Sequence, residues 1–238
     1  MHCSTLVLLA LCCLGVGLAT AAATPGSAAP AAPANNLYLE LKTFLRQVPK
    51  KQIQHLARAY LLNDVPFQAV IRELNSLASY RLRQQLLNQP ELRSFLQWLS
   101  QQLILSGGSL KVFDTLELEI KLFNKYPHWA VSTEGVAGFE NEFNFLYPAA
   151  ALRELLETNA QQSAIFGEFW RRVVALKPAY ERFIATPQAV AFAGRLRKLG
   201  VNVDGADQLV RYQLGWSNAS IPSYDYNDYL GLNNAENY

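Results

Sequence analysis

Residues 86–99 read LLNQPELRSFLQWL, and this stretch decides the fold. It ends one helix and starts another, because proline suits the first helical position, where its missing N–H would have had no partner. From Pro90 onward one helix face is apolar, formed by Leu92, Phe95, Leu96, Leu99 and Leu103. The stretch therefore predicts two consecutive helices with a break just before Pro90.

The same pattern returns later in the chain. Four residues have an identical counterpart at an offset of 97: Pro90 and Pro187, Phe95 and Phe192, Leu99 and Leu196, and Gly108 and Gly205. An earlier region matches at an offset of 99, with the pairs Pro49 and Pro148, Phe67 and Phe166, and Leu74 and Val173. Apolar positions match while surface positions differ, so these pairs predict one multi-helix unit that occurs twice in the chain.

The predicted fold class is all-α, with two tandem multi-helix repeats wrapped into one globule. Repeat one spans residues 37–127 and repeat two spans 138–216, together a single all-helical domain. Ser109 is the expected N-cap of a helix that follows Gly107-Gly108. Residues 24–36 form an Ala/Pro-rich spacer, and residues 217–238 form an acidic tail rich in Tyr and Asn.

The N-terminus has the pattern of a secretory signal peptide. The apolar run from Leu6 to Leu18 is followed by small residues, which predicts a signal peptide over residues 1–23. A membrane anchor is the alternative, but the run is short for a spanning helix. All three cysteines lie before residue 14, so the mature chain would contain none and would be secreted without disulfides.

Charge and motifs argue against several function classes. The chain has 238 residues and a formal net charge of +2, which gives no basic field for nucleic acid. It lacks HExxH, G-x-S-x-G, GxxxxGK and G-x-G-x-x-G motifs. After signal removal only His55 and His128 remain, far apart in sequence. We therefore expect no catalytic residues, no metal site, no cofactor and no nucleic-acid partner.

Apolar helix surface is abundant instead. Half of the residues are hydrophobic and 17% are charged. A wide stripe comprises Ile165, Phe166, Phe169, Trp170, Val173 and Val174. Such stripes are usually packed core, and periodicity alone does not distinguish a core from the wall of a cavity. Separately, Asn218-Ala219-Ser220 is a glycosylation sequon that becomes relevant if the chain is secreted.

Two stretches resemble the insect allergen-related repeat family, which includes cockroach group 1 allergens, mosquito midgut microvillar proteins and caterpillar nitrile-specifier proteins. They are residues 183–205, FIATPQAVAFAGRLRKLGVNVDG, and residues 86–99. Both have a Pro-started helix with Phe and then Leu, and LGVNVD at 199–204 is similar to a recurrent turn of the family. The resemblance implies two repeats around one large apolar cavity, which holds fatty-acyl chains in the allergen members.

The resemblance implies a secreted lipid-binding protein of the insect midgut lumen or microvillar surface, carrying fatty acid or phospholipid. A buried acyl chain would contribute about 0.8 kcal/mol per CH₂. The expected lining residues are Phe95, Leu99, Phe113, Leu116, Ile120, Phe166, Phe169, Trp170, Val173, Phe192 and Leu196. Two alternatives stay open: a nitrile-specifier-like detoxification protein, and a defence protein that exchanges lipid with membranes and disrupts them. The sequence leaves the oligomeric state open.

Overall fold

The computed structural model describes residues 36–116 and 133–218, which form eleven α-helices and one 3-10 helix. The α-helices are α1 (Leu37–Leu45), α2 (Lys50–Asn63), α3 (Val65–Leu74), α4 (Leu77–Leu87), α5 (Pro90–Leu105), α6 (Gly135–Leu146), α7 (Ala149–Gln162), α8 (Ala164–Val174), α9 (Lys177–Ile184), α10 (Pro187–Lys198) and α11 (Val203–Gln213); the 3-10 helix spans Leu110–Leu116. The two described ranges contain no β-strand. The all-helical prediction is confirmed.

Helix starts follow local chemistry. Pro90 and Pro187 occupy the first positions of α5 and α10. Ser163 caps α8, because its hydroxyl accepts a hydrogen bond from the backbone N–H of Phe166 at 3.3 Å. The segment after Ser109 differs from the prediction, since its described part is a 3-10 helix. There the N–H of Val112 reaches the carbonyl of Ser109 at 3.1 Å, an i to i+3 bond that tightens the turn.

The first helix lies at the centre of the fold. Leu37, Leu41 and Phe44 on α1 are almost fully buried. Helix α1 packs against α5, α7, α8 and the 3-10 helix. Buried side chains from both halves of the described chain form one hydrophobic cluster. The N-terminal helix thus connects elements that are distant in sequence.

One carboxylate joins two helix starts. Asp64 is 5% exposed, and its side chain accepts two backbone hydrogen bonds. Its Oδ1 lies 2.6 Å from the N of Phe67 in α3, and its Oδ2 lies 3.0 Å from the N of Gly135 at the start of α6. Nearby, the Tyr60 hydroxyl donates to Oε1 of Glu142 at 2.5 Å. These bonds fix α6 against α2 and α3, with which it packs.

A second polar link lies between α7 and α11. The guanidinium of Arg153 lies over two rings, 5.2 Å from the centroid of Trp170 and 5.8 Å from that of Tyr212. It also donates to the carbonyl of Tyr212 and, at 2.6 Å, to Oε1 of Glu157. Only 12% of the Arg153 side chain is exposed, so neighbouring protein groups, rather than water, stabilise its charge.

Several sequence predictions concern residues outside the described ranges. They are the signal peptide over 1–23, the spacer as far as residue 35, His128, and the tail beyond residue 218. Among the described helices, none combines the length and hydrophobicity that a membrane span requires.

Candidate apolar binding cleft

Four helices line an apolar cleft among the described residues. Helix α10 packs against α4, α9 and α11, and these four helices enclose a cleft of about 450 Å³. Its lining includes Ser79, Leu82, Arg83, Tyr180, Phe183, Ala189, Val190, Phe192, Ala193, Leu196, Arg197, Asp204, Asp207 and Val210. The volume lies within the usual range of ligand pockets, roughly 300–1,000 Å³.

The floor of the cleft is apolar and its mouth is open. Phe183 and Leu196 on the floor are buried, whereas Val190 at the mouth is 56% exposed. Ala189 and Ala193 lie one turn apart on α10 and carry only a methyl group into the cleft. Small side chains on a packed helix face leave room that neighbouring side chains do not fill.

Paired charges lie along one side of the cleft. Nη2 of Arg197 lies 2.7 Å from Oδ1 of Asp204. Asp207 accepts a hydrogen bond from the Tyr180 hydroxyl at 2.6 Å and another from Nε of Arg211 at 2.7 Å. The hydrogen bond to Asp207 is the main reason that the pKa of Arg211 is raised. Both carboxylates that line the cleft are therefore matched by an arginine.

Another wall carries two polar side chains. Ser79 and Arg83 both line the cleft from α4. They are four residues apart, so they lie on the same face of that helix. Ser79 is 8% exposed and Arg83 is half-buried.

The structure places the eleven expected lining residues in different surroundings. Phe192 and Leu196 lie in the cleft. Phe95, Leu99 and Phe166 pack in the core, whereas Phe113, Phe169, Trp170 and Val173 border a void of about 30 Å³. Such a void has room for about one water molecule. Ile120 and the side chain of Leu116 lie outside the described residues.

The enclosed cavity is not confirmed in the described part of the chain. Aromatic rings fill the region in which several of its lining residues lie. The ring centroid of Phe169 is 5.4 Å from that of Phe166 and 6.1 Å from that of Phe95. These distances are typical of packed aromatic pairs.

Asn218 of the sequon is exposed, as glycosylation requires, and its modification stays a prediction.

Sequence reasoning missed the contribution of α4 to the cleft. The sequence predicts only a short helical piece over 80–87, whereas α4 begins at Leu77 with Ser76 as its cap. Leu82 was not among the expected lining residues, and neither was Arg83. The alanine spacing on α10 was an available signal for a gap in the packing.

Within the described residues, no group of three His, Cys, Asp or Glu side chains could hold a metal ion.

The described residues thus form an all-α protein with an apolar cleft between four of its helices. The sequence model of one protein family, described as insect allergen related repeat, nitrile-specifier detoxification, matches residues 36–207. The chain belongs to this insect allergen-related repeat family. No curated protein matches the chain.

Proposed function

We propose that the protein binds lipid and that one acyl chain occupies the cleft between α4, α9, α10 and α11. The observation that carries this proposal is the 450 Å³ cleft with its apolar floor. An apolar protein cavity of about 150 Å³ accommodates benzene, so the cleft has room for roughly 18 carbon atoms. That is the size of one long acyl chain rather than of a diacyl phospholipid.

Burial of the chain supplies the driving force. Each buried CH₂ contributes about 0.8 kcal/mol, so a fully seated long chain gains on the order of 10 kcal/mol before the entropy of association is subtracted. Phe183, Phe192 and Leu196 give the ligand an apolar floor. Because the mouth is open, the ligand can be exchanged without unfolding of the core.

The wider architecture belongs to the same proposal. We propose two tandem repeats, secretion, and a place of action in the insect midgut. Three features support the repeat: α2 and α7 each have 14 residues, they follow Pro49 and Pro148, and the helices after them are capped by the side chains of Asp64 and Ser163. A larger enclosed cavity would need the aromatic core to open, so the first acyl chain is assigned to the cleft.

The first experiment identifies the cargo. The secreted protein is purified, extracted with organic solvent and analysed by mass spectrometry. We expect stoichiometric acyl lipid in the extract. A lipid-free protein that unfolds cooperatively and whose melting temperature does not change with added fatty acid would contradict lipid binding.

The second experiment tests the location with two matched variants. Ala193→Trp places a large ring in the cleft, whereas Ala191→Trp places the same ring on an exposed position of the same helix. Titration calorimetry with laurate should show binding to the wild type and to Ala191→Trp, and a large loss of affinity for Ala193→Trp. Equal binding by both variants would move the acyl site elsewhere.

A second candidate function follows from the description of the family, which names nitrile-specifier detoxification. Incubation of the protein with myrosinase and a glucosinolate tests it, and a rise in nitrile product would support it. Lipid exchange with membranes is tested separately with dye-loaded liposomes. Intact vesicles at high protein concentration would exclude membrane disruption.

A further inference from the structure

Two hydrogen-bond donors in the wall of the cleft have no partner among the described residues. Ser79 and Arg83 lie one turn apart on α4 and both line the cleft. Neither side chain forms a hydrogen bond or an ion pair with another described residue. Ser79 is mostly buried and Arg83 is half-buried, so both are less hydrated than on an open helix surface, while the cleft leaves their polar atoms accessible to water and to a ligand.

The other charges of the cleft do not compensate Arg83. Asp204 is bound by Arg197 at 2.7 Å, and Asp207 is bound by Arg211 at the same distance. Arg83 is therefore the one cation among the described lining residues that no carboxylate neutralises. An apolar pocket with a single unmatched positive charge is complementary to a ligand with a long apolar part and a single negative charge.

We propose that the cleft selects a long-chain fatty acid in its anionic form and that Arg83 and Ser79 hold its carboxylate. This inference rests on the proposed function, because it assigns the head group of the acyl chain that the cleft is proposed to bind. The guanidinium fork matches the two oxygens of a carboxylate. The Ser79 hydroxyl, one turn away, supplies a further donor.

Charge distinguishes a carboxylate from the other head groups. A neutral alcohol or ester would leave Arg83 uncompensated in a partly buried position. A phosphate monoester carries close to two negative charges at neutral pH, and Arg83 can match only one of them. Asp204 and Asp207 also line the cleft and disfavour excess negative charge.

The test compares three ligands with the same chain: laurate, 1-dodecanol and monododecyl phosphate. Each is titrated calorimetrically into the full-length protein and into Arg83→Gln, Ser79→Ala and Arg81→Gln. Arg81 lies on the same helix, is exposed and does not line the cleft, so Arg81→Gln controls for the loss of one positive charge.

The expected result is selective. Arg83→Gln should weaken laurate binding about ten- to hundred-fold, which is the effect of losing a hydrogen bond to a charged group, and should leave dodecanol binding unchanged within about two-fold. Ser79→Ala should weaken laurate binding by roughly two- to ten-fold. Arg81→Gln should bind all three ligands like the wild type.

Three results would overturn the inference. Equal effects of Arg83→Gln and Arg81→Gln would mean that Arg83 does not contact the head group. Equal losses for laurate and dodecanol would assign Arg83 a structural role. If monododecyl phosphate binds more tightly than laurate and Arg83→Gln abolishes this preference, the head group that Arg83 recognises is a phosphate and not a carboxylate. In each case, loss of laurate binding by Ala193→Trp would still support an acyl chain in the cleft, whereas a wild type that binds no ligand would refute the proposed function itself.

Discussion

Replacement of Asp64 by alanine should destabilise the protein more than the loss of an ordinary helix cap. The carboxylate accepts from the N–H of Phe67 at 2.6 Å and from the N–H of Gly135 at 3.0 Å. Loss of an N-cap costs about 1 kcal/mol, with a range of about 0.5–2. The second N–H would then lack its partner in a partly buried site, which costs a further 1–3 kcal/mol or so. We therefore expect Asp64→Ala to lower the free energy of unfolding by about 2–4 kcal/mol.

Urea unfolding followed by far-ultraviolet circular dichroism measures this loss. Asn202→Ala is the matched control, because the exposed Asn202 side chain caps α11 through one bond, to the N–H of Gly205 at 2.9 Å. It should cost about 1 kcal/mol. Asp64→Asn should lie between the two, because the amide keeps one acceptor oxygen and points a donor at the other N–H. Equal losses for Asp64→Ala and Asn202→Ala would refute the reasoning, since Asp64 would then act as a simple cap and not as a link between α3 and α6.

Three further predictions concern stability and are measured by the same urea titration. Gly194→Ala should stabilise the protein by about 0.5–1 kcal/mol, because a Cβ at this helical position meets open space. Gly138→Ala should destabilise it by roughly 1–3 kcal/mol, because its Cβ would lie 2.8 Å from the Tyr60 hydroxyl. A Gly138→Ala variant more stable than Gly194→Ala would contradict this packing. Burial raises the pKa of Glu140 in the folded protein, so the folded state binds the proton more tightly than the unfolded state does. Protonation of Glu140 therefore stabilises the folded state at low pH, and this stabilisation is lost as the pH rises through the raised pKa. Glu140→Gln should remove this decrease in the free energy of unfolding with rising pH, and an unchanged pH profile would exclude Glu140 as the source of the decrease. Arg153→Lys should cost about 1–2 kcal/mol, since an ammonium cannot contact both rings and also make the hydrogen bonds of the guanidinium fork. An unfolding midpoint equal to that of the wild type would mean that only the charge of Arg153 matters.

Helices were predictable from the sequence where local chemistry fixes them. Proline at a first helical position acts within one turn, so the starts at Pro90 and Pro187 follow from sequence alone. The 3-10 helix after Ser109 was not predictable, because the apolar pattern of that segment also fits an α-helix. Its conformation depends on packing against α5, which precedes it directly, and against α1, which lies far away in sequence.

The cleft was only partly predictable, because periodicity identifies an apolar face but not what covers it. Phe95 and Phe192 occupy equivalent positions of the sequence pattern, yet Phe95 packs against the Phe169 ring and Phe192 lines the cleft. The surrounding helices therefore decide whether such a face becomes core or binding surface. Arg83 was missed for a related reason: an arginine in a helix usually faces solvent, and only the tertiary structure shows that Arg83 lines a cavity.

The size of neighbouring side chains explains why the cleft lies beside α10 and not beside α5, its counterpart in the sequence pattern. At the offset of 97, Leu92 and Leu96 of α5 correspond to Ala189 and Ala193 of α10. Leu92 is 3% exposed and Leu96 packs against the core, whereas both alanines line the cleft. Loss of a leucine side chain from a packed face leaves a cavity unless the surroundings collapse, and each such cavity costs stability. A helix that keeps the large apolar residues of its counterpart and has alanine in place of two leucines therefore creates apolar space at a cost, and a bound acyl chain would restore the contacts that the alanines do not make.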